Sequence, residues 1–208
     1  EKIQQASLSL VDILATGLFS DGTGSGSKQL TGLAAMHETT PGTTAYASVA
    51  TGNTAWQNQV QTSVGAAAVN LLPKMRTLYN DCKQGKGGAA SSPDFGVTTQ
   101  SVHESFESLI TPRVRYGPNP SGGADAGISS LLFKNMQTEW DDYCTSGEFH
   151  MLNSQHVMLF IHSDANFAMA EGGFQKPINQ DALVTQILFQ GNLASNNRRK
   201  GGKLAGIT

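Results

Sequence analysis

Ile3, Ala6, Leu10, Leu14 and Leu18 follow one another at three- to four-residue steps, with Leu8, Val11 and Ala15 beside them as a second stripe. That spacing predicts a helix over residues 1–19 with a broad apolar face. Residues 20–32, SDGTGSGSKQLTG, break the pattern with Gly22, Gly24, Gly26 and Gly32 and read as a loop. Residues 37–54 are rich in Thr, Gly and Ala, have no helical period, and read as irregular structure with short extended pieces. Val60, Val64, Ala67, Leu71, Met75 and Leu78 restore helical spacing and predict a second helical region over 55–83, with Pro73 marking a break or a new first turn. A loop over 83–93 leads to a strand at 95–99, and Val102, Phe106 and Leu109 predict a helix ending before Pro112. Residues 113–130 hold Pro118, Pro120 and several glycines and read as a loop, and Ile128, Leu131, Leu132 and Phe133 begin a further element. In 150–162 the strand signal is strongest at Val157–Ile161, with Asn153 and Ser154 favouring a turn before it. Residues 163–180 read as a linker, and 182–194 as the longest strand, with Gly191 a candidate bulge. Helices and strands mix without strict alternation, so the fold class is α+β.

Composition sharpens this picture in one respect. Lys and Arg number 14 and Asp and Glu 16, a net charge of −2, and charged residues make up only 14% of the chain. Ser, Thr, Asn and Gln outnumber them about two to one. A balance this close to neutral excludes a generally basic nucleic-acid binder. Charge is also depleted where a surface is covered by neighbours. A soluble protein with Gly- and Ser-rich loops fits the composition as well. No run of residues approaches the length and apolarity of a membrane-spanning helix. Cys82 and Cys144 stand in different predicted elements and are expected to be free thiols.

The candidate chemistry is thin. A phosphate-binding loop requires G-x-x-x-x-G-K-[ST] after a strand. Counting from Gly22, the matching positions are Ser27, Lys28 and Gln29, so the second glycine and the magnesium-binding hydroxyl are missing, and the loop follows a helix. His37, His103, His150, His156 and His162 lack the close pairing with cysteines or each other that builds a tetrahedral metal shell, and they read as isolated or half-buried. Glu139, Asp141 and Asp142 beside Trp140 read as a solvated face and not as a catalytic carboxylate pair. No G-x-S-x-G nucleophile elbow occurs. Arg198, Arg199, Lys200 and Lys203 form a basic tail that reads as an exposed segment, or one that pairs with a neighbouring subunit's carboxylates; the same charges could meet DNA phosphates without reading sequence. No catalytic residue, cofactor or metal is expected.

Four segments, taken in order, carry a resemblance. LFSDGTGSGSKQLTGL (18–33) resembles the end of the long spine helix and the Gly-rich turn of tailed-phage major capsid proteins. PDFGVTTQSVHESFESL (93–109) is similar to that family's strand followed by helix, and HMLNSQHVMLFIHSDANF (150–167) to its strand pair after the axial-domain loop. QDALVTQILFQGNLASNNRRKGGKLAGIT (180–208) resembles its C-terminal strands and basic run. The resemblance implies the Hong-Kong-phage-type capsid fold, which encapsulin shells share, with 1–58 as a peripheral domain bearing the spine helix and Gly-rich loop, 59–160 as an axial domain, 161–197 as peripheral strands and 198–208 as a return toward the axial domain. It implies a non-enzymatic shell subunit that forms pentamers and hexamers around double-stranded DNA in a virion assembled in the bacterial host cytoplasm. Implied partners are further copies of the chain, portal and scaffold or decoration proteins, and packaged DNA bound without sequence preference; no membrane is implied. Gly22, Gly24, Gly26 and Lys28 become candidate inter-subunit loop residues, and Arg198, Arg199, Lys200 and Lys203 candidate tail contacts. The family's N-terminal arm and extended loop find no counterpart in these residues, and the helix from Glu1 has no capping residue before it, so the chain is expected to be the core of a longer subunit that does not close a shell alone. The reading from another class is a nucleotide-dependent enzyme using the Gly-rich loop.

Overall fold

The structure, a computed structural model, describes residues 2–83, 92–110, 131–170 and 173–208. It divides into two compact units, Glu1–Ala34 with Met158–Ala194, and Ala35–Val157 with Ser195–Thr208.

The first unit holds α1 (Lys2–Leu18) and most of a two-stranded ribbon of β6 (Val157–Met169) and β7 (Ile187–Ser195). In α1 only Gly17 is buried; Leu10, Leu14 and Leu18 of the first stripe are half-buried, whereas Leu8 and Val11 of the second stay exposed. The Gly-rich segment includes one helical turn, α2 (Gly24–Ser27), with Ser25 and Gly26 left-handed inside it. Thr31 N–H donates to Asn192 Oδ1 at 2.7 Å, tying this segment to β7. The ribbon's cross-strand packing includes the Phe167 and Phe189 rings, 5.3 Å apart.

The second unit is built on a six-stranded sheet in the order β1-β8-β5-β2-β4-β3. Its strands are β1 (Gln59–Gln61), β2 (Phe95–Thr98), β3 (Leu131–Phe133), β4 (Met136–Trp140), β5 (Phe149–Leu152) and β8 (Gly202–Leu204). β1–β8 and β2–β4 are parallel pairs, and β2–β5, β5–β8 and β3–β4 are antiparallel. Helices α4 (Ala67–Lys83) and α5 (Gln100–Ile110) cover one face, burying Leu71, Met75, Leu78 and Phe106 against Met136, Phe149, Met151 and Leu204. Alternation along a strand sends successive side chains to opposite faces. His150 pairs with Val97 on one side and Lys203 on the other, so these three share the face away from the helices. The segment 35–58, which begins within the short helix α3 (Leu33–Met36), meets that side through His37, against His150, and through the Met36 carbonyl, which binds Arg198.

Several sequence expectations are corrected. The helical region over 55–83 is strand β1 and then a helix from Ala67, because Val60 pairs with Lys203 in the sheet instead of joining the helix. Pro73 lies inside α4. It is exposed, so the Val69 carbonyl it leaves without a helical partner can take water. The linker over 163–180 begins later, since β6 runs to Met169, and the strand over 182–194 is β7 from Ile187. Glu139 and Asp142 are exposed and Asp141 is half-buried at the end of β4, as a solvated face would have them. The strand at 95–98 and the helix over 100–110 lie where the pattern puts them, and the element begun at Leu131–Phe133 is a strand. The loop expected over 113–130 and most of the loop over 83–93 fall outside the described residues.

Candidate functional site

The chemistry-bearing side chains gather in the second unit, between the sheet and residues 35–58. Strand β5 presents His150, β8 presents Lys203, and the turn before β5 supplies Glu148. The 3-10 turn Arg198–Lys200 delivers Arg198. From the covering segment come His37, Glu38, Tyr46 and Asn58.

Lys203 Nζ donates to Glu148 Oε1 at 2.8 Å, and His150 Nε2 lies 3.3 Å from Glu148 Oε2. On its other edge His150 Nδ1 is 3.4 Å from His37 Nδ1, the rings stacking at 22° with centroids 5.7 Å apart. Arg198 binds the covering segment through several atoms. Its Nε donates to the Met36 carbonyl at 2.7 Å, its Nη2 to the Ala35 carbonyl and to Asn58 Oδ1 at 3.2 Å each, and Glu38 Oε1 lies 3.6 Å from Nη2. Its guanidinium rests 4.7 Å above the Tyr46 ring. Asn58 Nδ2 in turn donates to the Glu38 carbonyl at 2.9 Å. Gly201 keeps the approach open, since a β-carbon there would stand 2.5 Å from His37 Nε2.

Burial and charge set the protonation of this cluster. Burial lowers His37 well below the ordinary histidine value, and His150, Arg198 and Lys203 add to the shift. Burial also lowers His150, against the pull of Glu148. Burial works to raise the Glu148 carboxyl, but hydrogen bonds from His150 and Lys203 outweigh it and hold it below its usual range. The result is two carboxylates neutralised by two cations, with a neutral histidine pair between them. Such a set pins a segment in place.

The basic tail is therefore corrected. Arg198, Lys200 and Lys203 are buried, Arg198 at 3% exposure, and Arg199 is half-buried. The reason is β8: pairing Gly202–Leu204 between β1 and β5 draws the run into the unit. The histidines are corrected too, since His37 and His150 are buried and in contact. They lie 113 residues apart, and no sequence spacing signals the pair. Gly22, Gly24, Gly26 and Lys28 sit in the turn after α1, with Lys28 exposed. Cys82 and Cys144 are free and buried; burial raises both thiols, Cys144 to about 12. Among the described residues, no three His, Cys, Asp or Glu side chains form a metal-binding group, and no helix is long and apolar enough to cross a membrane.

No protein-family model and no curated protein matches the chain. Solved structures do. The cyanophage A-1(L) capsid asymmetric unit aligns with a TM-score of 0.68 at 12% identity, over 98% of this chain and 70% of that one. The chain has a phage-capsid fold. A satellite phage procapsid that includes its size-determination protein aligns over the whole chain and 63% of its own, with a TM-score of 0.56 and 11% identity. A holo-encapsulin complex from Synechococcus elongatus aligns over 72% of this chain and 53% of that one, with a TM-score of 0.47 and 14% identity. The capsid fold accounts for the mixed sheet flanked by two helices and for the separate unit of long helix and ribbon.

Proposed function

We propose that this chain is the major capsid subunit of a tailed bacteriophage, assembling with copies of itself into pentamers and hexamers of an icosahedral head around double-stranded DNA. The observation that carries the reading, beside the fold, is the uncovered apolar surface of the first unit. Phe160 is 57% exposed and Leu8 70%, and Leu159, Ile161 and Leu188 are exposed as well. A two-stranded ribbon by itself is marginal in water. Apolar patches of this kind mark interaction surfaces, and burying them stabilises contacts by about 25 cal/mol per Å². Neighbouring copies supply that cover.

On this reading the first unit is the peripheral part of the subunit and the second the axial part, with residues 35–58 belonging to the latter. The turn bearing Gly22, Gly24, Gly26 and Lys28 touches a neighbouring subunit. The role is structural and not enzymatic, and the place is the virion, after assembly in the host cytoplasm. Portal, scaffold or decoration proteins and non-specifically held DNA complete the partners. Electron microscopy of the protein produced in bacteria tests this. Capsomers are the expected result. A strictly monomeric protein at tens of micromolar whose melting temperature rises with nucleotide would overturn it.

A further inference from the structure

We propose that His37 and His150 form an acid-released latch that holds residues 35–58 against the six-stranded sheet of the second unit. The argument begins with protons. Glu148 offers only acceptor oxygens to His150 Nε2 at 3.3 Å, which assigns the Nε2 proton and leaves Nδ1 as an acceptor. His37 Nδ1, 3.4 Å away, is then the donor. One proton between two Nδ1 atoms makes the bridge.

The pair accepts one further proton with this bridge intact, because either ring can be the cation while a single hydrogen stays between them. A second proton places N–H against N–H at the same contact and removes it. The surroundings do not absorb the added charge. Acting on the pair are Glu148 before β5, Arg198 from the 3-10 turn and Lys203 from β8, and Glu38 and Tyr46 of the covering segment lie against Arg198. Glu38 and Glu148 already balance Arg198 and Lys203, so each proton added to the pair is uncompensated buried charge. Arg199 and Lys200 act on Cys82 of α4 instead.

What opens is fixed by the contacts. His37 immediately follows the Met36 and Ala35 carbonyls that bind Arg198, and it precedes Glu38. Loss of the bridge at His37 thus loosens the segment where it is held most densely. The helix-covered face, with Leu71, Phe106 and Phe149, contains no group of the pair. Acid is therefore expected to free 35–58 while α4, α5 and the sheet persist.

Two measurements on the whole chain test this. Histidine-ring NMR should show His37 and His150 taking up protons in coupled steps below the ordinary value of about 6.5. Amide hydrogen exchange, corrected for its intrinsic pH dependence, should accelerate at least ~10-fold over residues 35–58 between about pH 7.5 and pH 5, and not in α4 or α5. His37→Gln keeps a donor and removes one of the two titrating rings, so it should flatten that pH dependence. Independent titration of both rings near the ordinary value, or pH-independent exchange over 35–58, overturns the latch. Should His37→Gln fail to fold, the unmodified protein's ring titration and exchange decide alone.

Discussion

At the scale of single residues, the glycine that matters in the Gly-rich segment is Gly32. A β-carbon there would stand 2.3 Å from the Leu18 carbonyl oxygen and 2.5 Å from that of Gly17, both backbone atoms at the end of α1. At Gly24 the clash is with the far end of the flexible Gln29 side chain. Gly32→Ala should therefore cost about 2 kcal/mol and lower Tm by several degrees, while Gly24→Ala costs less than about 1 kcal/mol. Equal losses in thermal unfolding would contradict this account. In the tail, Arg198→Ala strips the bonds to Met36, Ala35 and Asn58 and removes the cation 3.6 Å from the half-buried Glu38 carboxylate. Breaking one side of a buried ion pair costs about 3–5 kcal/mol. Arg199→Ala, at a half-buried position, should cost less than about 1 kcal/mol. Denaturant titration of the two variants separates an anchoring residue from its neighbour.

Among elements, α4 and the ribbon stand at opposite extremes. Helix α4 buries Leu71, Met75, Leu78 and Cys82 so completely that it tolerates Pro73 in its interior. Pro73→Ala restores the bond to the Val69 carbonyl and should raise stability by about 1 kcal/mol or more, visible as a higher Tm. An unchanged or lower Tm would show that the helix is bent to suit the proline. The ribbon does the reverse. Its run Met158–Ile161 has the composition of a strand covered on both faces, yet all four residues are exposed within the chain. Phe160→Asp should then move the stability of the isolated chain by no more than about 0.5 kcal/mol and still abolish capsomers in sedimentation. A large loss of monomer stability would mean that the ribbon's apolar face serves folding and not association.

For the molecule as a whole, pH is the sharpest probe. His37 and His150 are held neutral below the ordinary histidine value, so the unfolded chain binds more protons than the folded one once pH falls under about 6.5. Stability rises with pH wherever the unfolded state holds more protons. The histidine contribution is therefore complete above about pH 6.5 and is lost progressively as pH falls toward the depressed folded values. Glu148, held below its usual range, adds a second loss only under about pH 4.3. Chemical denaturation from about pH 7.5 to pH 5 should show falling stability in the unmodified protein, and a flatter profile when His37 is replaced by Gln.

The stripes of α1, the alternation around Phe95–Thr98 and the spacing of Val102, Phe106 and Leu109 determined local elements by themselves, because each is set by neighbours a few residues away. The order of those segments was also enough to suggest the capsid fold that the solved structures share. The candidate site was not legible. His37, Glu38 and Asn58 meet Glu148, His150, Arg198 and Lys203 only because β8 threads between β1 and β5. A short strand such as Gly202–Leu204, or β1 at Gln59–Gln61, has too few residues to display a period of two. Its state is decided by the partner that hydrogen-bonds it, and that partner is remote in sequence. The same holds for burial: the basic residues of the tail look solvated when read along the chain, and only the sheet drew Arg198, Lys200 and Lys203 inside, where Arg198 anchors the covering segment and Lys203 holds Glu148.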